Sequence, residues 1–339
     1  MIMAFPDYNS GIISDINYLY NLKDVPDAAF INSRLGKVIE TLSNENSLIR
    51  PYDNSSLPGG FLQINPNITT VLVPDLHARR GYITSLLNYR IDGNSVIDDL
   101  SAGKLQIICV GDGFHSESAG AARWKEAWNE YLDKYKVHKA MDAEMSDSIS
   151  LMLMVMTLKT AFPENFHFLK GNHENIANEN SDGNRPFGKY AMEGQMVKDW
   201  FLKFMGVNLL EKWKSFEKML PVVAAGGNFV VSHSEPGGIY SREEIINCRG
   251  NDKLIFDFTW TANNAAPEKN VQEMLKILLN GNWRNSLYFG GHRPVPGLYK
   301  LRAGNLYVQF HNPDLYAAVI LKSGQTPLPS RDIVDIGRF

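Results

Sequence analysis

Cysteine is scarce in this chain. Two in 339 residues, Cys109 and Cys248, exclude both a disulfide-dense scaffold and a cysteine-based zinc signature. Cys109 lies inside the apolar run LQIICV and reads as a buried structural thiol. Long hydrophobic runs are missing too: the strongest, ISLMLMVM at 149–156, is far too short to cross a bilayer. The first residues lack the basic and then apolar order of a secretory signal. Neither charge sign dominates, the formal net charge being -3, so there is no global electrostatic case for a nucleic-acid partner. Repeats and low-complexity linkers are absent as well. Together these absences give the expectation of a soluble cytoplasmic protein with no membrane partner, and they leave its oligomeric state open.

What is present is ordinary globular composition, 44% hydrophobic and 21% charged, on a chain long enough for a substantial core. One large α/β domain over 1–339 is expected. The short apolar runs TTVLV, LQIICV, FHFL, NFVVS and SLYFG each give way at once to Asp-, His- or Gly-rich sequence. Such runs read as buried strands, and the residues that follow them fall at strand ends, where open α/β sheets build their sites. GYITSLLNYR suits the helix after the first strand. The 121–160 segment is nearly free of Gly and Pro, with Trp124, Trp128 and Tyr131 on one helical face, and suggests a helical insertion at about 117–160. A second helical region is expected over about 189–219, and Tyr307, Phe310, Tyr316 and Val319 mark a return to strands.

Five polar stretches carry the chemistry: VPDLHARRG, VGDGFHSE, FLKGNHEN, VVSHSEPGG and FGGHRPVPG. The first supplies Asp75 and His77, which share one side of a continuing strand. Asp112 stands between Gly111 and Gly113, a setting for a tight turn and close approach. Asn172 offers a neutral oxygen, and His233 and His292 each end an apolar run. This inventory suits two borderline divalent ions better than one. Asp112 can bridge them, with Asp75 and His77 on one side and Asn172, His233 and His292 on the other. Two such cations lower the pKa of a bridging water and neutralise charge on a phosphoryl group. His138, His167 and His311 lack comparable settings and are read as structural or surface residues.

In this order the stretches PDLH, GDG, GNHE, SH and GH, spanning 74–292, resemble the calcineurin-like metallophosphoesterase superfamily, in particular its phosphoprotein-phosphatase-like branch. The resemblance implies an α/β sandwich of two mixed β-sheets flanked by helices, with a dinuclear metal centre at the loop ends. It implies Asp75, His77 and Asp112 on one ion and Asp112, Asn172, His233 and His292 on the other. The metals of such proteins are variously iron, zinc or manganese, so two divalent or mixed-valence ions of Mn, Fe or Zn are implied without a choice among them. The chain departs from the family where Pro74 and Ala78 replace glycines. His115 and Ser116 replace an Asp that orients the catalytic histidine and an Arg that binds phosphate. Pro294 replaces a further histidine found in many phosphodiesterase branches.

The expected reaction is hydrolysis of a phosphomonoester, on a phosphoprotein or a small phosphorylated metabolite, by a metal-activated water. A phosphodiesterase or nucleotide-pyrophosphate hydrolase and a non-catalytic metal-stabilised binding protein are the alternatives. His173 is the expected general acid for the leaving alcohol. Glu174 can orient a neighbouring imidazole or close a loop salt bridge, and either Glu117 or His115 can orient His173. Arg79 and Arg80, directly after the first motif, are the expected phosphate clamp, because a guanidinium binds two phosphate oxygens. Arg185, Arg242 and Arg293 are weaker candidates.

Overall fold

A computed structural model describes residues 5–117 and 120–337. Residues 118 and 119, near the start of the expected insertion, lie outside the described residues. In chain order the strands are β1 (Phe61–Gln63), β2 (Thr69–Val73), β3 (Arg90–Ile91), β4 (Asn94–Ser95), β5 (Leu105–Cys109), β6 (Phe166–Phe168) and β7 (Val223–Gly226). They continue with β8 (Phe229–Ser232), β9 (Leu287–Gly290), β10 (Lys300–Arg302), β11 (Tyr307–Gln309), β12 (Ala317–Leu321) and β13 (Ile333–Asp335). All five apolar runs singled out in the sequence are strands.

Two mixed sheets form the centre. One has the order β13-β12-β2-β5-β6 and the other β1-β7-β8-β9-β11-β10. In the first, β2, β5 and β6 are parallel and β12 runs against β2. In the second, β8, β9 and β11 are parallel, while β7 runs against β8. The parallel strands explain why the apolar runs are continuous rather than alternating, since both of their faces are covered. Leu72 and Ile108 point into the layer between the sheets, where they meet Val231, Phe289 and Val308. Their neighbours Val71, Val73, Ile107 and Cys109 face the helices on the outer side. Val223, Val230 and Tyr288 do the same on the outer face of the second sheet. The period of two is therefore kept, but both phases are apolar.

Helices Phe5–Asn21 and Ala28–Ser43 pack against helix Lys139–Ala161, which also touches β6. This last helix is buried over most of its length, which accounts for an ISLMLMVM run without a polar face. The helical segment expected at about 117–160 holds two helices, Ala121–Leu132 and Lys139–Ala161. The break falls at Lys134 and Tyr135, whose φ angles of 57° and 54° do not continue a helix. Burial of the Tyr135 ring, with its hydroxyl donating to the Met196 carbonyl at 2.8 Å, holds the turn. The 189–219 region is likewise two helices, Glu193–Phe204 and Val207–Lys218.

Candidate metal centre

The C-terminal ends of β2, β5, β6, β8 and β9 deliver Asp75 and His77, Asp112, Asn172, His233 and His292 respectively. The loops are tied to one another by backbone bonds: His77 N–H donates to the Asp112 carbonyl at 2.7 Å, Ala78 N–H to Gly113 at 2.9 Å, and Gly291 N–H to His233 at 2.8 Å. Five non-glycine residues here have left-handed backbone, His77 (φ 42°), Ala78 (58°), Asp112 (52°), His115 (74°) and His292 (64°). Such conformations cost of order 1–3 kcal/mol each and persist where surrounding structure over-determines them. Gly171 serves close approach rather than a sharp turn. A Cβ there would lie 2.6 Å from the Asp112 amide nitrogen.

On one side, the His233 ring places Nδ1 3.0 Å from the Val110 carbonyl. A carbonyl only accepts, so the proton is on Nδ1 and Nε2 presents a lone pair. That lone pair is 2.9 Å from Asn172 Oδ1 and 3.4 Å from Asp112 Oδ2. Asn172 Oδ1 is also 2.8 Å from His292 Nδ1. On the other side, His77 Nδ1 is 2.9 Å from the His115 carbonyl, which directs a bare Nε2 to within 3.7 Å of Asp112 Oδ2 and 3.9 Å of Asp75 Oδ2. Asp112 lies between, its Oδ2 facing both sets of imidazoles while Oδ1 accepts from His173 N–H at 2.9 Å. Asp75 Oδ1 is buried without a hydrogen-bond partner among the described residues.

Electropositive guests fit this arrangement. Burial pushes the His77 and His292 imidazoles down to about 3, and it drives His233 well below its usual range, so all three are neutral lone-pair donors. Burial also raises Asp75 to about 6, against His311, and raises Asp112 well above a normal carboxylate, with Asp75 and Glu174 adding to the effect. Lone pairs and carboxylate oxygens that converge in a buried site need cations between them, and ligation requires the deprotonated forms. The ligating atoms of Asp75, Asp112 and His233 lie within 4.8 Å of one another, as do those of Asp75, His77 and His311. These two His/Asp clusters share Asp75 and are consistent with a dinuclear metal site.

His311 is the residue that sequence reasoning passed over. It follows β11, which lies parallel to β9, so it arrives at the same rim as His292. The signal was present in YVQFH, an apolar run ending in histidine like the others.

Of the two residues expected to orient His173, His115 lies against its ring and Glu117 does not. Among the described residues, Glu174 orients no imidazole and makes no side-chain salt bridge. Its carboxylate accepts from three backbone N–H groups, Asp112 and Gly113 at 2.9 Å and Gly171 at 2.6 Å, and so clamps the second and third motif loops together. His115 stacks on His173, ring centroids 4.8 Å apart and planes inclined 27°, with Trp124 against it at 5.0 Å. Its own Nε2 lies 3.5 Å from Glu193. Glu117 holds His311 Nε2 at 2.8 Å rather than His173. Phe187 packs on His173 at 4.5 Å, and that ring was not singled out in the sequence.

Arg79 and Arg80 direct their guanidiniums at protein groups away from the cavity. Arg79 donates to the carbonyls of Leu76, Asn312, Leu315 and Asp75, which pins the segment after β11 to the first motif. Arg80 bonds the Leu22 carbonyl and Asp147 at 2.7 Å. Neither lines the cavity of about 220 Å³ that opens over His77, Asp112, Asn172, His173 and His292. The cations that do are Arg293 and Lys189, with Phe187 and Trp260 as apolar walls. Arg185 pairs with Asp252, and Arg242 sits over the Phe61 ring, both outside that lining.

No known family model matches the chain, and no curated protein matches it in sequence. Among solved structures it is similar to a protein serine/threonine phosphatase from Saccharomyces cerevisiae, described as similar to human phosphatase PP5. The TM-score is 0.57 and the identity 14%, over 91% of this chain and 89% of that one. A cold-active protein-tyrosine phosphatase of a psychrophilic Shewanella species overlays at TM-score 0.44 and 13% identity over 82% of each chain, too distant to bear on the fold. The likeness is one of fold, two mixed β-sheets flanked by helices. No helix among the described residues is long and apolar enough to cross a membrane.

Proposed function

We propose that this protein is a dinuclear metal-dependent phosphomonoesterase, acting on a phosphoprotein or a small phosphorylated metabolite. The observation that carries the reading is the convergence of His233 Nε2 and His292 Nδ1 on Asn172 Oδ1, at 2.9 and 2.8 Å, beside the buried Asp112 carboxylate. Asp75, His77 and Asp112 would hold one divalent ion of the Mn, Fe or Zn type, and Asp112, Asn172, His233 and His292 the other. When bound, such a pair lowers the pKa of a water and neutralises phosphoryl charge. Two buried unpaired thiols, Cys109 and Cys248, support a reducing, cytoplasmic setting.

The chain's own groups do the rest. Arg293, exposed beside His292, and Lys189 across the cavity are placed to receive phosphoryl oxygens, replacing Arg79 and Arg80 in that role. His173 is the side chain positioned to hold the proton for the leaving oxygen. Burial and the neighbouring His115, His77 and His233 rings keep it well below its usual pKa in the free site. A dianionic phosphate entering beside it raises that pKa and favours the proton-bearing form. Its ring is held between the stacked His115 ring and the tilted Phe187 ring, with Asp112 Oδ2 3.8 Å from its Nε2.

The test is elemental analysis of purified protein together with turnover of phosphomonoesters, phosphodiesters and phosphopeptides. Two equivalents of metal and monoester turnover are expected. Only trace metal, with no activation by added Mn, Fe or Zn, defeats the proposal, and comparable diester turnover moves the reading to a phosphodiesterase.

A further inference from the structure

We propose that His311 is itself a metal ligand, through Nδ1, at the position formed by Asp75, His77 and Asp112, and that Glu117 holds it in place. The inference rests on the dinuclear reading above and adds a ligand that neither the motif order nor the resemblance supplies.

The ring is fully buried at 0% exposure. Its Nε2 is 2.8 Å from Glu117 Oε2, and an ionised carboxylate only accepts, so the proton sits on Nε2 and Nδ1 carries a lone pair. Nδ1 has no hydrogen-bond partner among the described residues. It lies 3.9 Å from Asp75 Oδ2, and the His311 and His77 ring centroids are 5.3 Å apart. A buried acceptor left unmet is costly, and rotation of the ring to satisfy it would break the bond to Glu117. A cation shared with Asp75 and His77 would meet this lone pair without breaking that bond. A carboxylate behind a ligating imidazole fixes its tautomer and ring orientation, which is the relation Glu117 has to His311. Glu117 Oε1 also reaches Lys189 at 3.4 Å, so the cavity rim and the ligand share one carboxylate.

The consequence is a pair of four-ligand positions. Asp75, His77, Asp112 and His311 make the first, and Asp112, Asn172, His233 and His292 the second.

The experiment is titration of metal-stripped protein with Co(II), read by visible absorption and by elemental analysis after gel filtration, on wild type, His311→Ala, Glu117→Gln and His292→Ala. Wild type should bind two equivalents. His311→Ala should retain one and lose the absorption of the first position, while His292→Ala loses the other. Glu117→Gln, which keeps shape, should weaken the first ion about 10- to 100-fold. If His311→Ala does not fold, Glu117→Gln carries the test. Two equivalents at unchanged affinity and spectrum in His311→Ala, or in Glu117→Gln where the former is unfolded, overturn the proposal and leave the dinuclear reading standing. Wild type that binds no metal overturns the dinuclear reading itself.

Discussion

His173 and His115 are stacked, their ring centroids 4.8 Å apart and their planes inclined 27°, and neither ring donates to the other. His115, which stands where the resembled family carries an acidic residue, therefore presents a flat surface to His173. His173→Ala should lower kcat about 10²- to 10⁴-fold, the usual worth of a positioned acid, with metal content unchanged. His115→Ala removes the stack, worth about 0.5–1.5 kcal/mol, together with the ring's approach to Glu193, and should lower kcat roughly 2- to 10-fold. Steady-state kinetics beside elemental analysis separates these effects from metal loss.

Asp112→Asn tests the bridge. Its Oδ2 is within 3.4 Å of His233 Nε2 and 3.7 Å of His77 Nε2, so the substitution weakens both metal positions together. Loss of metal from both positions and of turnover is expected. Retention of two tightly bound ions would show that the carboxylate does not lie between them.

Glu174→Gln should cost stability more than chemistry. It places an amide N–H₂ against backbone donors now held by the carboxylate at 2.6–2.9 Å. Charged hydrogen bonds of this kind contribute about 1.5–3 kcal/mol, so the midpoint of urea unfolding should fall measurably. An unchanged midpoint would remove the clamp role.

Arg79→Ala and Arg293→Ala should separate cleanly. The first loses carbonyl bonds to Asn312 and Leu315 and should lower unfolding stability by about 1–3 kcal/mol with little change in KM of the folded fraction. The second should raise KM for a phosphomonoester about tenfold without altering stability. Paired denaturation and kinetic measurements decide between them.

Acid sensitivity should centre on Glu45. Burial opposes its ionisation, yet Arg50 at 2.5 Å and Lys159 at 2.5 Å hold its pKa down at about 2 from 4.5. A folded-state pKa below the unfolded one gives stability that is present above about pH 4.5 and is lost as pH falls toward 2. The lost share is about 3 kcal/mol at about 1.4 kcal/mol per unit. Glu45→Gln should thus be strongly destabilised at pH 7, with the gap to wild type closing in acid. A pH-independent gap would contradict the assignment.

The strands were legible because each is a short apolar run stopped by a polar loop, and burial of both faces makes that pattern local. The residues proposed as ligands were legible for the same reason: Asp75, His77, Asp112, Asn172, His233 and His292 each follow such a run within a few residues. Partners far apart in sequence were not. What Arg79 binds is set by carbonyls at 312–315, which reach it only because β12 pairs with β2. The pairing of His311 with Glu117 depends on β11 lying beside β9, and the His115–His173 stack on Phe187 and Trp124 closing around it. Sequence by itself determined which side chains stand at strand ends, since chain connectivity and hydrophobic patterning act locally. Tertiary structure alone decided where those side chains direct their protons and lone pairs, because hydrogen-bond direction is set by whichever donor or acceptor packing brings within about 3 Å.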